Sequence, residues 1–351
     1  MTRLRPGGGT AALDRPASPR YGHLERLSDS IGVFEHARYD VPRTAHGYCV
    51  DDVARALLVT AREPEQTDAL RGMSSVYLRF LHDAVDPAGR AHNRRNVDGL
   101  WTDEPALGDW WGRAIWSTGV VSIHAVDPST RDAAAAVFGR AAQRDPVALH
   151  TAAFAALGAA AVLLAASSDA PARRIVEGFA AMLPSRAGAA WPWPEERLRY
   201  GNGSVAEAAI VSGRALQDPA IVERGLMMLA FLLETETRSG RLSVTGTGGR
   251  GPADREQQFD QQPIEVAAIA DACAAAFDTT EDPEWIDGIR MAWRWFEGDN
   301  DSAVPMIDFE TGAGFDGLEP SGRNLNRGAE STLAALSTWQ LARRLLLPSA
   351  A

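Results

Sequence analysis

The run AAFAALGAAAVLLAA at residues 152–166 carries no charged or hydrogen-bonding side chain on any face, so whatever it forms must be surrounded by protein. It is shorter than the ~20 residues that cross a bilayer, and its alanine and leucine content favours a helix. The stretch therefore reads as a helix buried on all sides. Ala54–Ala61 and Ala267–Ala276 have much the same character. Between these runs, apolar residues recur three and four apart, as at Ile221, Val222, Leu226, Leu229, Leu232 and Leu233, which marks helices buried on one face only.

Extending this alternation along the chain predicts helices near 20–30, 51–62, 66–83, 109–126, 129–143, 147–167, 171–184, 203–216, 218–236, 261–277, 282–297 and 328–347. Asp-Pro steps at 127–128, 145–146, 218–219 and 282–283 precede four of them, where Asp caps free amides and Pro suits the first turn. The helices pair into six hairpins whose second member is the more apolar. Six such hairpins close into a ring with the apolar helices inside, an all-α (α/α)6 toroid over 21–347, with 1–20 a flexible tail. An open solenoid would need polar capping repeats, and neither end shows one. The connections leading into the inner helices are long (31–50, 84–108, 185–202, 237–260 and 298–327), except in the third hairpin. They should emerge on one rim, and long ordered loops are usually functional.

Composition removes many functions. All 35 basic residues are Arg, so lysine Schiff bases and phosphate-loop lysines are absent. Against 46 acidic residues they leave a net charge of -11, which excludes a nucleic-acid footprint and disfavours an anionic membrane. Two cysteines cannot build a disulfide scaffold or a four-thiolate metal site, and the seven histidines lack metal-ligand spacing. No metal and no cofactor is expected, although rim carboxylates leave calcium open. No secretory signal is legible, so the chain reads as cytoplasmic.

The long loops carry what a neutral carbohydrate requires: tryptophans at 110, 111, 191 and 193 to stack on sugar rings, and Asp, Asn, Gln and Arg to bond hydroxyls. GYCVDDVARAL (47–57), preceded by LSDSIGVFEHARYDVP (27–42), resembles the signature of a bacterial family of glycosidase-like (α/α)6 toroids, often fused to or associated with glycosyltransferases. GRAIWSTG (112–119), WPWPE (191–195), FDQQPIE (259–265), GDND (298–301) and NLNRGAESTLA (324–334) extend the likeness over 21–347. Val53 stands where the pattern has Asn, and Trp111 where it has His. The resemblance implies a toroid associated with oligosaccharides or polysaccharides, and a glycosyltransferase partner.

Several acids sit at the starts of inner helices, where a carboxylate can be a plain cap or a catalytic group. Two adjacent acids, Asp51 and Asp52, exceed what one cap needs, so one should face the cavity or grip Arg55 or Arg113. The leading expectation is an inverting glycoside hydrolase with Glu330 as base and Asp109 as acid, the carboxyls roughly 6.5–9.5 Å apart. Asp52, Glu195 and Asp260 are the substitutes. Substrate contacts are expected from Tyr48, Asp51, Arg55, Trp110, Trp111, Arg113, Trp191, Trp193, Gln262, Glu265 and Asn326. A non-catalytic glycan-binding module would use the same tryptophans without an acid pair. A sugar epimerase would want histidines at inner-helix starts, and His82, His124 and His150 read as lying elsewhere. Cys49 reads as a small buried residue, with His46 an assistant only if the fold joins them, and GTGGRG (246–251) as a rim segment, since it lacks a phosphate loop's lysine.

Overall fold

The computed structural model describes residues 18–183 and 191–346; most of the expected N-terminal tail, residues 1–17, lies outside them. Twelve α-helices occur among the described residues: α1 (Gly22–Leu27), α2 (Val50–Arg62), α3 (Asp68–Ala84), α4 (Asp109–His124), α5 (Pro128–Ala141), α6 (Leu149–Ala165), α7 (Ala170–Met182), α8 (Asn202–Leu216), α9 (Pro219–Thr235), α10 (Pro263–Thr280), α11 (Glu284–Glu297) and α12 (Ala329–Leu345). The even-numbered helices pack in succession, and α12 packs on α2 to close the ring. Each odd-numbered helix covers them from outside. The (α/α)6 toroid expected from the sequence is the fold.

The alternation in sequence explains the layers. In α6, residues 150–160 are buried on every face, whereas α3 and α7 bury one stripe only. Inner helices approach closely where glycine permits: a Cβ on Gly158 of α6 would lie 2.2 Å from the Ile115 carbonyl oxygen of α4. Asp127 and Asp218 cap α5 and α9 with Pro in the first turn, as the dipeptides suggest. Asp145 does not cap α6, which starts after Ala148; it pairs instead with Arg174 at 2.6 Å.

The long loops form one collar at the N-terminal ends of the inner helices. Loop 28–49 joins loop 85–108 through the strand pair Tyr48–Cys49 with Arg94–Arg95. Leu198 bridges to Arg250, Gln261 to Leu318, and the Arg327 amide donates to the Tyr39 carbonyl oxygen. Among the inner helices only α6 is reached by a short connection, as expected. No described helix is long and apolar enough to cross a membrane.

Candidate active site

Three consecutive inner helices, α12, α2 and α4, bring carboxylates to one side of the rim. Cys49 ends a short strand in extended conformation and leaves Asp51 and Asp52 in the first turn of α2. Asp52 points inward and is buried, accepting from the Cys49 thiol at 3.1 Å and from Arg55 at 2.6 Å. The other nitrogen of Arg55 donates to Glu330 at 2.9 Å. Asp51 turns to Arg113, 3.3 Å away, and the Arg113 guanidinium lies 3.9 Å from the centre of the Phe154 ring. Asp109 opens α4 and accepts from Thr151 of α6 at 2.5 Å. Both arginines named as partners of the Asp pair are thus used, one by each Asp. Arg55, Arg113 and Glu330 line the mouth of an axial cavity of about 50 Å³.

These carboxylates differ electrostatically. Burial pushes the Asp51 carboxyl above its ordinary range; Arg113 and Arg55 oppose this, and the nearby charges of Asp109 and Glu330 add to it. Asp52 is pushed up to about 6, chiefly by burial and against the pull of Arg55. Burial, then Asp52, holds the Cys49 thiol well above its usual value, so it stays a protonated donor rather than a nucleophile. Arg113 is lowered to about 10 by burial and by Arg55.

Across the opening, His150 is the second residue of α6, with Nε2 3.1 Å from Glu195 and its ring stacked 5.0 Å from that of Tyr200. This corrects the expectation that no histidine stands at an inner-helix start. The predicted helix 147–167 already put His150 in a first turn. The bond from His150 holds the Glu195 carboxyl below its ordinary range. Gln262 caps α10, and Glu265 in its first turn is buried, accepting from the Gly201 amide and from the Asn202 amide and side chain at 3.3 and 3.0 Å. Glu265 therefore secures the start of α8. Tyr200, Gln262 and Glu265 line a second depression with Arg197, Arg199 and residues 245–249. The glycine segment there spends its amides internally: Gly246 donates to Gln258, Thr247 to the Asp260 carbonyl and Gly249 to that of Gly246. It offers no phosphate cradle.

Several expected sugar contacts are core residues. Trp111 is fully buried and donates to the Gly89 carbonyl at 2.8 Å, and Trp193 is buried against Phe231. Tyr48 is buried between Phe34 and Phe80 with its hydroxyl on Asp29 at 2.6 Å. Trp110 and Trp191 remain half-buried, tied to the carbonyls of Ala91 and Glu195. Asn326 accepts from the Tyr39 amide and so fastens one loop to another. Burial, then Glu319 and Asp316, raises the Asp260 carboxyl; its charged company is not the central cluster. Asp52, being buried and committed to Cys49 and Arg55, positions the cluster and does not reach the opening. Among the described residues, Glu35, Cys49 and Asp52 bring three donor atoms within 4.8 Å of one another. Glu35 is engaged by Arg94, and Cys49 and Asp52 by each other.

No protein-family model and no curated protein matches the chain. Solved structures do match in fold. A sugar epimerase from a ruminal bacterium superimposes with a TM-score of 0.68 at 11% identity, over 92% of this chain and 95% of the other. The cellobiose 2-epimerase of Spirochaeta thermophila gives 0.64 at 14%, over 92% and 93%. The GH76 α-mannanase of Bacteroides thetaiotaomicron gives 0.63 at 13%, with the same coverage. All three are carbohydrate-active enzymes on this toroid.

Proposed function

We propose that the chain is a glycoside hydrolase that binds a glycan across the collar and cleaves it at the mouth of the axial cavity. One observation carries the reading: Asp51, Asp109 and Glu330, from the starts of three successive inner helices, lie near enough for the charges of the last two to act on Asp51, whose carboxyl burial raises, and Glu330 lines the axial cavity. Glycosidic cleavage needs one carboxyl that donates a proton and another carboxylate that accepts one. Of the two candidate acids, Asp109 and Asp51, the reading takes Asp51, because burial raises its carboxyl. Asp51 gives its proton to the glycosidic oxygen as the bond to the anomeric carbon breaks. Water bonds to that carbon and loses its proton to Glu330, which Arg55 holds in place. The negative charge of Asp109 helps Asp51 retain its proton until the bond breaks.

The test is release of reducing sugar from a glycan panel by the protein and by Asp51→Asn and Glu330→Gln. Each variant is expected to lose ~10²- to 10⁴-fold in turnover while melting within a few degrees of the parent. Near-normal turnover in Asp51→Asn, with loss in Asp109→Asn, would return the acid role to Asp109.

His150, with Glu195 and Tyr200, favours a second reading, an epimerase or isomerase. An imidazole oriented by a carboxylate can remove a proton from a carbon beside a sugar carbonyl. Exchange of that carbon-bound hydrogen with deuterated water, abolished in His150→Ala and unaccompanied by bond cleavage, would select it.

A further inference from the structure

The acid-rich rim suits a neutral glycan, but one part of it has another character. Between residues 197–200, ahead of α8, and the glycine segment 245–249 lies a depression of about 390 Å³ that also takes in Gln262 at the start of α10. Because α10 packs beside α12, which carries Glu330, the depression shares the rim with the carboxylates. The acids around it are already matched. Glu265 is spent on the Gly201 and Asn202 amides, Asp254 takes Arg197 at 2.9 Å and the Gly251 amide at 2.7 Å, and Glu195 holds His150 at 3.1 Å. The Arg199 guanidinium is not matched: it is exposed, it lines the depression, and among the described residues no hydrogen bond or ion pair engages it. The side chains of Thr247 and Gln262 line the same depression and are likewise unbonded among the described residues.

This cation stands on a fixed backbone. Leu198 and Arg250 exchange both of their backbone hydrogen bonds, at 2.8 and 3.0 Å, and the Arg199 amide donates to the Asn202 side chain at 3.0 Å. Gly201 then turns the chain into α8 in the left-handed conformation, with φ of 58°. Tyr200, between them, has one face of its ring against His150 and is 40% exposed.

We propose that this depression binds an acidic sugar, a uronate residue of the glycan, with its carboxylate on Arg199. The inference rests on the hydrolase reading for the presence of a glycan and adds to it the substrate class. The volume lies in the range of small-ligand sites. A guanidinium presents parallel N–H groups that match the two oxygens of a carboxylate. The exposed part of the Tyr200 ring suits an apolar face of a pyranose, and Thr247 and Gln262, each donor and acceptor in one side chain, suit its hydroxyls. A neutral sugar would use these last groups and leave the cation unanswered. A phosphate would find few amides, because those of Gly246, Thr247 and Gly249 are already bonded. The overall charge of -11 repels anions at a distance, so the preference is made by contact within the depression.

The experiment titrates glucuronate, galacturonate and mannuronate into the full chain by calorimetry, beside glucose, galactose, mannose, acetate and glucose 6-phosphate. At least one uronate is expected to bind roughly ten-fold or more tightly than its neutral parent, an advantage that Arg199→Gln abolishes while changing the affinity for the neutral sugar by less than about three-fold. Arg199→Lys, which keeps the charge without the fork, should retain part of the advantage. Gln262→Ala should weaken acid and neutral sugar alike, by about three-fold. Arg199 is exposed and unbonded, so its variants should melt with the parent. Equal affinity for every uronate and its parent, an advantage that survives Arg199→Gln, acetate or glucose 6-phosphate binding as tightly as the best uronate, or no binding at all would each overturn the subsite. Uronate binding that depends on Arg199, with no uronate-containing glycan cleaved, would instead sink the hydrolase reading and leave the subsite standing. Cleavage of neutral glycans without any preference for uronates would do the reverse.

Discussion

Glu330 and Glu265 occupy equivalent places, each in the first turn of an inner helix, yet the ring uses them in opposite ways. The Glu330 side chain is 42% exposed and holds a single guanidinium at the cavity mouth. Glu265 is 5% exposed and takes three N–H bonds from the start of the neighbouring helix. A carboxylate at a helix start is thus a mechanical part on one side of the opening and an exposed, singly held group on the other. Helix position supplies the location; the partners supply the role.

Truncation should break the two apart most clearly. Glu265→Ala strands the amides of Gly201 and Asn202 in the interior and should cost about 3 kcal/mol in denaturant unfolding, while Glu330→Ala, which leaves Arg55 its bond to Asp52, should cost under ~1 kcal/mol. Equal losses would erase the distinction.

The structural side should also respond to pH. Glu236, buried at the end of α9, accepts from the Thr245 amide and hydroxyl, and burial pushes both it and Glu265 up to about 7, whereas an unfolded glutamate titrates near ~4.3. Between those values the folded chain keeps protons that the unfolded chain has released, so stability declines as pH rises through that window and levels off above it. The decline should be several kcal/mol, since each of the two shifts is worth about 4 kcal/mol, and it should shrink in Glu236→Gln. A melting temperature that rises between pH 5 and 7 in the parent would contradict the assignment.

The smallest effect concerns the tryptophans. Trp191 is half-buried near Glu195, Trp111 wholly buried. A bound glycan should shift emission by a few nanometres at most, a shift lost in Trp191→Phe and kept in Trp111→Phe. The reverse pattern would show that Trp191 is not at the sugar.

Much of this was legible in the sequence because the toroid is written in local terms. The inner helices α6 and α10 are apolar on most faces, outer ones such as α3 and α7 on a stripe only, and the loop lengths alone name the working rim. Roles at the rim depend on contacts between distant segments, and there the sequence is silent. Trp110 and Trp111 are adjacent, and only the packing of loop 85–108 decides that Trp111 goes inward to Gly89. Nothing local separates Glu265 from Glu330, since what distinguishes them is a helix start 64 residues away in one case and an arginine 275 residues away in the other. His150 is different: its place in a first turn is readable from local sequence, although it follows the one short approach to an inner helix.

The ion pair that joins Arg55 to Glu330 spans the seam where the ring closes, and Gln340 reinforces that seam by donating to the Val59 carbonyl at 2.8 Å. The first and last inner helices therefore each own part of the same site. During synthesis, the arginine emerges long before its carboxylate partner exists. A ribosome-bound or proteolytically shortened chain lacking the last helix would have five inner helices, a gap in the cavity wall and no Glu330 for Arg55 to hold, so the rim is whole only with completion of the circle.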